Sequence, residues 1–550
     1  MQVNEAPDFS RRRLTLLSLG LAVLTVALRW SFCHESLWVD ELHSAWAVWD
    51  ELALVSERSS AGNQTPWYFW GLWAWKQIFG GSEVALRAPS LLASAISVFA
   101  ITWAAAVHSR QFVVGLLAGG LLAVEFRAVE FGTEVRVYAL LIVLSILSAR
   151  GWLTVLESSE SSDAVETPWS LPWFRKVAMI WLPGFAAVLL HPTAALTVGM
   201  LAAVGGVLGI TTQKRVRTAI YAAAGSIGFV LLALAVNGVA VRNVWSIRHQ
   251  WAQFAIPRSG IELYRMWPWQ LVIAAVLALI VVVVGCRVFC GNRAKTEGTK
   301  QPKSNAALLC LGTVLAATTL CWVVAFLEWL PMWHVRYLIG LLPLMMWGTA
   351  DLWGIVFAKM NCTRMRFLTA SMNGAIAVCL VGWLVHSQGT WWLWMPTKPN
   401  VPNVVLRGED WRSAIAWLQD HRQANEPVYL GAELIESSLL TDGVEDASAD
   451  RLKEYLLFPT SGPYAIDVKE PLGLAFLSMR SDLKRILAPS PQQGVKVRWL
   501  VYRMDEASVE QAYNQANLPD IASPAIARTN GATEAFGGVT IVRLETQAEE

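Results

Sequence analysis

The stretch RRRLTLLSLGLAVLTVALRWSFC, Arg11 to Cys33, decides how everything after it is read. Three arginines precede an apolar run from Leu14 to Leu28, the layout of a secretory leader or of a first membrane span. The residues that follow, Arg29 to Cys33, offer neither a small-x-small cleavage site nor a lipoprotein cysteine context. The run is therefore read as an uncleaved first span with its arginines in the cytoplasm.

The rest of the 550-residue chain agrees, being 55% hydrophobic and only 16% charged, with a mean hydropathy of +0.41. That is far too apolar for a soluble protein of this length. Further runs long enough to cross about 30 Å of hydrocarbon lie near residues 84–107, 111–127, 137–156, 174–192, 193–210, 218–241, 268–288, 306–327, 337–358 and 367–387, eleven spans with the first. With the N-terminus inside, the loops that fall in the cytoplasm hold Arg110, Lys214, Arg215, Arg217, Arg287, Arg293, Lys295, Lys300, Lys303, Lys359, Arg364 and Arg366, as the positive-inside rule asks. An odd span count leaves the C-terminus outside, and the expected home is the plasma (inner) membrane. A net charge of +2, without basic blocks interleaved with aromatics, gives no support to a nucleic-acid partner.

From about Gly389 the composition turns polar, with prolines at 396, 399 and 402 ending the last span. This divides the chain into a transmembrane domain, 1–388, and a soluble exoplasmic (periplasmic) α/β domain, 389–550. In the latter, Asp410 to Gln423 has helical periodicity through Trp411, Ile415 and Leu418, and PVYLGA (427–432), VRWLVY (497–502) and VTIVRL (539–544) read as buried strands. No cysteine follows Cys379, so no disulfide framework is expected there. Cys286 and Cys290 share a helix face at a cytoplasmic membrane edge, where ordinary packing accounts for them. The acidic, serine-rich SSESSD at 158–163 reads as a solvated loop.

The first external loop, 33–83, is not random. Leu42, Ala45, Trp46, Trp49, Leu52 and Ala53 fall on one helical face and Asp50 and Glu51 on the other, which predicts a helix lying on the membrane surface. A second helix is expected from Thr65 as N-cap and Pro66 at its first position through Trp67, Trp70 and Trp73.

Ionisable groups at membrane depth are costly and persist where they pair or line a cavity. The external side carries Asp40 and Glu41, then Glu130, Glu134, Arg136 and Tyr138 at the entry to one span, His191 at the exit of another, and His334, Arg336 and Tyr337 at the entry to a later one. The loop from Arg242 to Arg265 adds Arg242, Arg248, Arg258 and Arg265 against Glu262, the reverse of what topology alone selects. A carboxylate that takes a proton from a hydroxyl, beside guanidinium groups that hold a departing phosphate, suits such a set. A lipid-borne phosphosugar fits, since its tail stays in the bilayer and its ring reaches the surface.

SLWVDELHSA (36–45), QTPWYF (64–69), FGGSEVALRAPS (79–90) and EFGTEVRVYAL (130–140), in that order, resemble the opening pattern of the GT-C membrane glycosyltransferases, with HPT (191–193) and HVRYLI (334–339) similar to later landmarks. The nearest likeness is to family 39, the RgtA-like group that holds the protein mannosyltransferases and the lipid A aminoarabinose transferases, over roughly residues 12–345. The resemblance implies a GT-C fold and an inverting transfer of a sugar from a polyprenyl phosphate to a lipid, polysaccharide or protein acceptor. By position it makes Asp40 the catalytic carboxylate and leaves Glu41 to orient the acceptor or a metal. Arg136, Tyr138, Arg336 and Tyr337 would hold phosphate, with Arg242, Arg248 and Arg258 as further basic candidates. No particular cofactor is implied; a divalent metal is left open through Glu41 and His191, although no tight His/Asp/Glu spacing argues for one. Where some relatives carry an acidic residue and a lysine before the second surface helix, this chain has Gln64 and Thr65.

Plainer readings stand beside these. Asp40 suits an N-cap, Glu41 a first helical turn, and Arg136 and Arg336 suit anchors that snorkel to headgroups. A lipid or solute transporter would also concentrate charge in a bundle, but these charges gather at one face and no inverted repeat is visible.

Overall fold

The structure is a computed structural model that describes residues 10–157, 170–211, 216–246, 248–253, 255–290, 305–360, 366–394, 406–423, 426–431, 447–466, 473–474, 497–505, 507–509, 511, 536 and 538–545. Outside them lie SSESSD, Lys214, Arg215, Arg293, Lys295, Lys300, Lys303, Arg364 and the three prolines, as do the side chains of Cys286, Arg287, Cys290 and Arg366. Two compact units emerge: Met1–Arg29 with Ser90–Pro396, and Trp30–Pro89 with Thr397–Glu550.

Among the described residues, eight helices are long and apolar enough to cross a membrane: Arg11–His34, Glu83–Ser109, Tyr138–Glu157, Leu171–Leu190, Ala194–Thr211, Val216–Val236, Asn305–Phe326 and Val335–Met360. The other three expected spans correspond to the helices Phe112–Val124, Trp269–Cys290 and Arg366–Ser387. The first of these has 13 residues, about 20 Å of helix. It stops because Glu125 leaves helical geometry to cap the next helix, Phe126–Phe131, accepting from the Ala128 N–H at 2.8 Å.

The first unit is an apolar bundle whose two ends are defined by polar contacts. At one end Arg29 donates to the carbonyls of Leu122 (3.2 Å) and Ala123 (2.9 Å), Ser90 Oγ donates to the Arg136 carbonyl (3.1 Å), and Gln388 Nε2 donates to Glu125 (2.9 Å). At the other, Gln111 Nε2 donates to the Gly354 carbonyl (3.3 Å), Asp351 accepts from the Ala307 N–H (3.0 Å) and His108 meets Glu157. Phe112–Val124 therefore runs back antiparallel to Glu83–Ser109. Gly115 and Gly119 permit the approach: a Cβ on Gly115 would meet the Thr102 carbonyl at 2.4 Å, and one on Gly119 its Oγ1 at 1.9 Å. Small residues four apart let membrane helices touch through their backbones.

The second unit surrounds a four-stranded sheet. β1 (Val428–Gly431), β2 (Gly473–Leu474), β3 (Val497–Tyr502) and β4 (Thr540–Glu545) lie in the order β2-β1-β3-β4. β1 pairs in parallel with β2 and with β3, Tyr429 opposite Leu500, and β3 pairs antiparallel with β4, Leu500 opposite Val542. The parallel step from β1 to β3 requires a crossover, and helix Ala447–Ser461 lies within it. The expected amphipathic helix is Trp411–His421, capped by Asp410, which accepts from the Ser413 N–H at 3.1 Å; Trp411, Ala414, Ile415 and Leu418 form its buried face.

The first loop folds in this unit. The single surface helix expected from Leu42 to Ala53 is two, Val39–Ala47 and Leu52–Ala61, because Asp50 and Glu51 interrupt it and Glu51 takes an extended N-cap conformation. Trp46 is buried within the protein, stacked on Tyr455 at 5.3 Å between centroids, with the Arg58 guanidinium 5.1 Å from its ring centroid. The second helix, Pro66–Phe79, starts as expected with Thr65 at N-cap and Pro66 in its first turn, and ends at Gly80, whose φ is +86°.

Candidate active site: a clamped acidic loop and an arginine cluster

Asp40 and Glu41 are neighbours with different surroundings. Helix Val39–Ala47 takes Trp38 as its N-cap, so Asp40 is not the cap but the next-to-first helical residue, half-buried in the first turn. Glu41 is fully buried against an equally buried Arg87. Arg87 Nε donates to Glu41 Oε1 at 2.8 Å and its Nη2 meets Oε2, a bidentate fork. The remaining guanidinium protons go to the carbonyls of Cys33 (3.2 Å), Glu35 and Ser36 (3.0 Å). Arg87 thus ties together the backbone that leads to Asp40, and Arg407 lies 3.9 Å from Glu41 and 3.8 Å from Glu35.

Tyr464 adds a second clamp. Its hydroxyl accepts from the Leu37 N–H (2.8 Å) and donates to Glu83 (3.2 Å). Burial first, and then the Glu83 carboxylate, push this phenol above its ordinary range. Asp40 also has charged neighbours from the C-terminal segment: Arg503, which feels its charge, donates from Nε to Glu409 at 2.6 Å.

The bundle unit gathers the later landmarks at one end. The ring centroid of His191 lies 5.9 Å from that of Tyr138 and 6.3 Å from that of Tyr337, and Tyr337 is 6.1 Å from His334. Arg336 donates from its backbone N–H and from Nε to His334 Nδ1, 3.3 Å each. The Tyr138 hydroxyl lies within electrostatic reach of Arg136, Arg336 and Glu134. His191, 2.7 Å from Thr193 Oγ1, is driven down to about 4 by burial and by the positive charges of Arg136 and Arg336, which keeps it neutral near pH 7. These residues leave helices far apart in sequence and meet because each helix starts or stops at this end.

Arg242, Arg248 and Arg258 make local contacts instead. Arg242 Nε donates to the Gly238 carbonyl (3.3 Å), Arg248 Nη1 to the Trp245 carbonyl (2.7 Å), and the Arg258 N–H to Glu262 (2.7 Å). Glu262 also accepts from Trp333 Nε1 at 2.8 Å, beside His334.

Neither metal candidate suits a cation: the Glu41 oxygens are engaged by Arg87, and His191 faces two guanidinium groups. Among the described residues, no group of three or more His, Cys, Asp or Glu is placed to hold a metal ion.

Arg87, Arg407, Glu409, Tyr464 and Arg503 were not anticipated as parts of a site. Arg87 lies in the quoted FGGSEVALRAPS, and a guanidinium so near a span start signals a buried partner. The others are separated from Asp40 by more of the chain than any local spacing can relate.

No protein-family model matches the chain, and no curated relative matches its sequence. Solved structures of ArnT from Cupriavidus metallidurans are similar: the undecaprenyl phosphate-bound form has a TM-score of 0.45 and 13% identity, covering 96% of this chain and 97% of that one. The apo form has a TM-score of 0.45 and 12% identity over the same shares.

Proposed function

We propose that this protein transfers a sugar from a polyprenyl-phosphate donor to an acceptor hydroxyl, on the exoplasmic side, with inversion. The observation that carries this reading is the meeting of Arg136 and Arg336 with Tyr138, Tyr337 and His191 at one end of an apolar bundle. Two guanidinium groups beside phenols are suited to a phosphate whose lipid lies in the bilayer. In the reaction proposed, Asp40 takes the acceptor proton as the acceptor oxygen bonds to the anomeric carbon. The bond from that carbon to the phosphate oxygen breaks, and the polyprenyl phosphate leaves with its electron pair. Glu41 serves by holding Arg87, and so the loop before Asp40. No metal enters.

The test is transfer of label from polyprenyl-phosphate sugars to endogenous acceptors in membranes. Asp40→Asn keeps the shape and removes the base, and transfer is expected to fall by about a hundredfold or more at unchanged protein level. Wild-type transfer by this variant would overturn the assignment. Translocation of the sugar by purified protein in liposomes, with no new glycosidic bond, would favour a transporter.

A further inference from the structure

At the start of helix Val39–Ala47, Trp38 at the N-cap has no side-chain acceptor to offer, and Glu41 Oε2, which Arg87 also engages, accepts from the Trp38 N–H at 3.5 Å. The N–H of Val39, the residue directly before Asp40, donates to Glu409 Oε2 at 2.9 Å. Glu409 is buried, accepts from Trp411 Nε1 at 2.9 Å, and receives Arg503 Nε on its other oxygen at 2.6 Å. Arg503 in turn lies within electrostatic reach of Asp40 and of Tyr455.

The fold fixes both partners. Arg503 is one residue beyond β3, and its N–H extends the ladder to the Gly431 carbonyl at 3.3 Å. Glu409 follows Gly408, whose φ of +73° turns the chain so that Arg407 faces Glu35 and Glu41 while Glu409 faces Val39. The next residue is anchored by the Asp410 N–H to the Phe536 carbonyl at 3.0 Å.

We infer that Glu409 and Arg503 are positioning residues for Asp40: Glu409 holds the backbone from which the Asp40 helix starts, and Arg503 sets the charge beside the carboxylate. The inference rests on the proposed role of Asp40, and it gives the C-terminal segment a part in the reaction. Neither residue touches the reacting atoms. Each acts through Asp40, Glu409 by capping the helix in trans and Arg503 by favouring the ionised carboxylate that a base must be.

The test titrates Asp40 directly in the purified full chain. Carbodiimide with an amine ester modifies protonated carboxyls, and peptide mass spectrometry gives the pH midpoint for Asp40. Arg503→Gln should raise that midpoint by about half a unit or more, because a favourable charge is lost. Glu409→Gln keeps an acceptor for Val39 but removes a like charge and frees Arg503, and should lower it. Arg503→Lys should stay near the wild-type midpoint. Opposite shifts support the inference, since a merely loosened structure would move both variants the same way. Shifts of one sign, no shift in either glutamine variant, or a lysine variant that behaves as the glutamine one, overturn it. Should Arg503→Gln fail to fold, Glu409→Gln alone decides by the sign of its shift. Labelled transfer by the same preparations separates the two ideas: wild-type transfer by Asp40→Asn ends the assignment of Asp40 as the base, whereas inactive Asp40→Asn with unmoved midpoints ends this inference only.

Discussion

Adjacent carboxylates at 40 and 41 differ because one faces half into solvent and the other is enclosed with a guanidinium. A buried pair that loses one member leaves an uncompensated charge, which costs about 3 kcal/mol or more. Glu41→Gln should therefore lower the thermal midpoint of the purified protein and its accumulation in membranes, while Asp40→Asn should change neither. Equal midpoints for the two variants would mean that the Arg87 fork does not hold the loop. His191 makes a pH prediction of definite sign. Its folded pKa of about 4 lies below the ordinary 6.5, so the unfolded chain binds the extra proton first as pH falls. Its contribution is fully present above about 6.5 and is lost between there and about 4, up to about 3 kcal/mol for a group this buried. The groups that face it, Arg136, Arg336, Tyr138, Tyr337 and Thr193, supply no carboxylate to reverse that sign. Thermal midpoints measured over this window should fall steeply for the wild type and less steeply for His191→Gln.

At the level of elements, boundaries follow from where polar side chains find backbone partners. Glu125 ends one helix and caps the next while accepting from Gln388. Glu125→Ala removes the cap and strands the Gln388 amide, and should cost about 2 kcal/mol, read as a lowered thermal midpoint; an unchanged midpoint would refute the cap. The apolar runs were legible as helices because twenty apolar residues have few other fates, and the three β runs because each is short, β-branched and aromatic. The break after Ala47 was not legible: the periodicity of Leu42, Trp46, Trp49 and Ala53 continues across Asp50 and Glu51, and only Tyr455, from a helix far along the chain, shows that Trp46 is buried in protein instead of lying on lipid. The arginine cluster could be read residue by residue, since each member breaks the apolar pattern at a helix end. The clamp around Asp40 could not, because Arg87, Glu409 and Arg503 carry no spacing that points to it.

Over the whole bundle, the antiparallel contacts fix which residues share an end, and the charge rule predicts which end faces the cytoplasm. Arg136, Tyr138, His191, Arg336 and Tyr337 share the end at which Arg29 and Ser90 make their hydrogen bonds, while Gln111, Asp351 and the His108–Glu157 pair share the other. Basic residues occur at both ends, but they are not equivalent for topology. Arg136 is buried within a cluster, so it is no measure of loop charge, whereas exposed Arg110 and Arg217 stand with the cytoplasmic loops expected from the sequence. Single cysteines in an otherwise cysteine-free chain test this. A membrane-impermeant maleimide applied to intact cells should label Arg242→Cys and Arg258→Cys, which are exposed in the native loop, and should reach Arg110→Cys and Arg217→Cys only after the membrane is opened. The opposite pattern would turn the arginine cluster toward the cytoplasm; transfer on the exoplasmic side would then be excluded whatever the chemistry of the carboxylate.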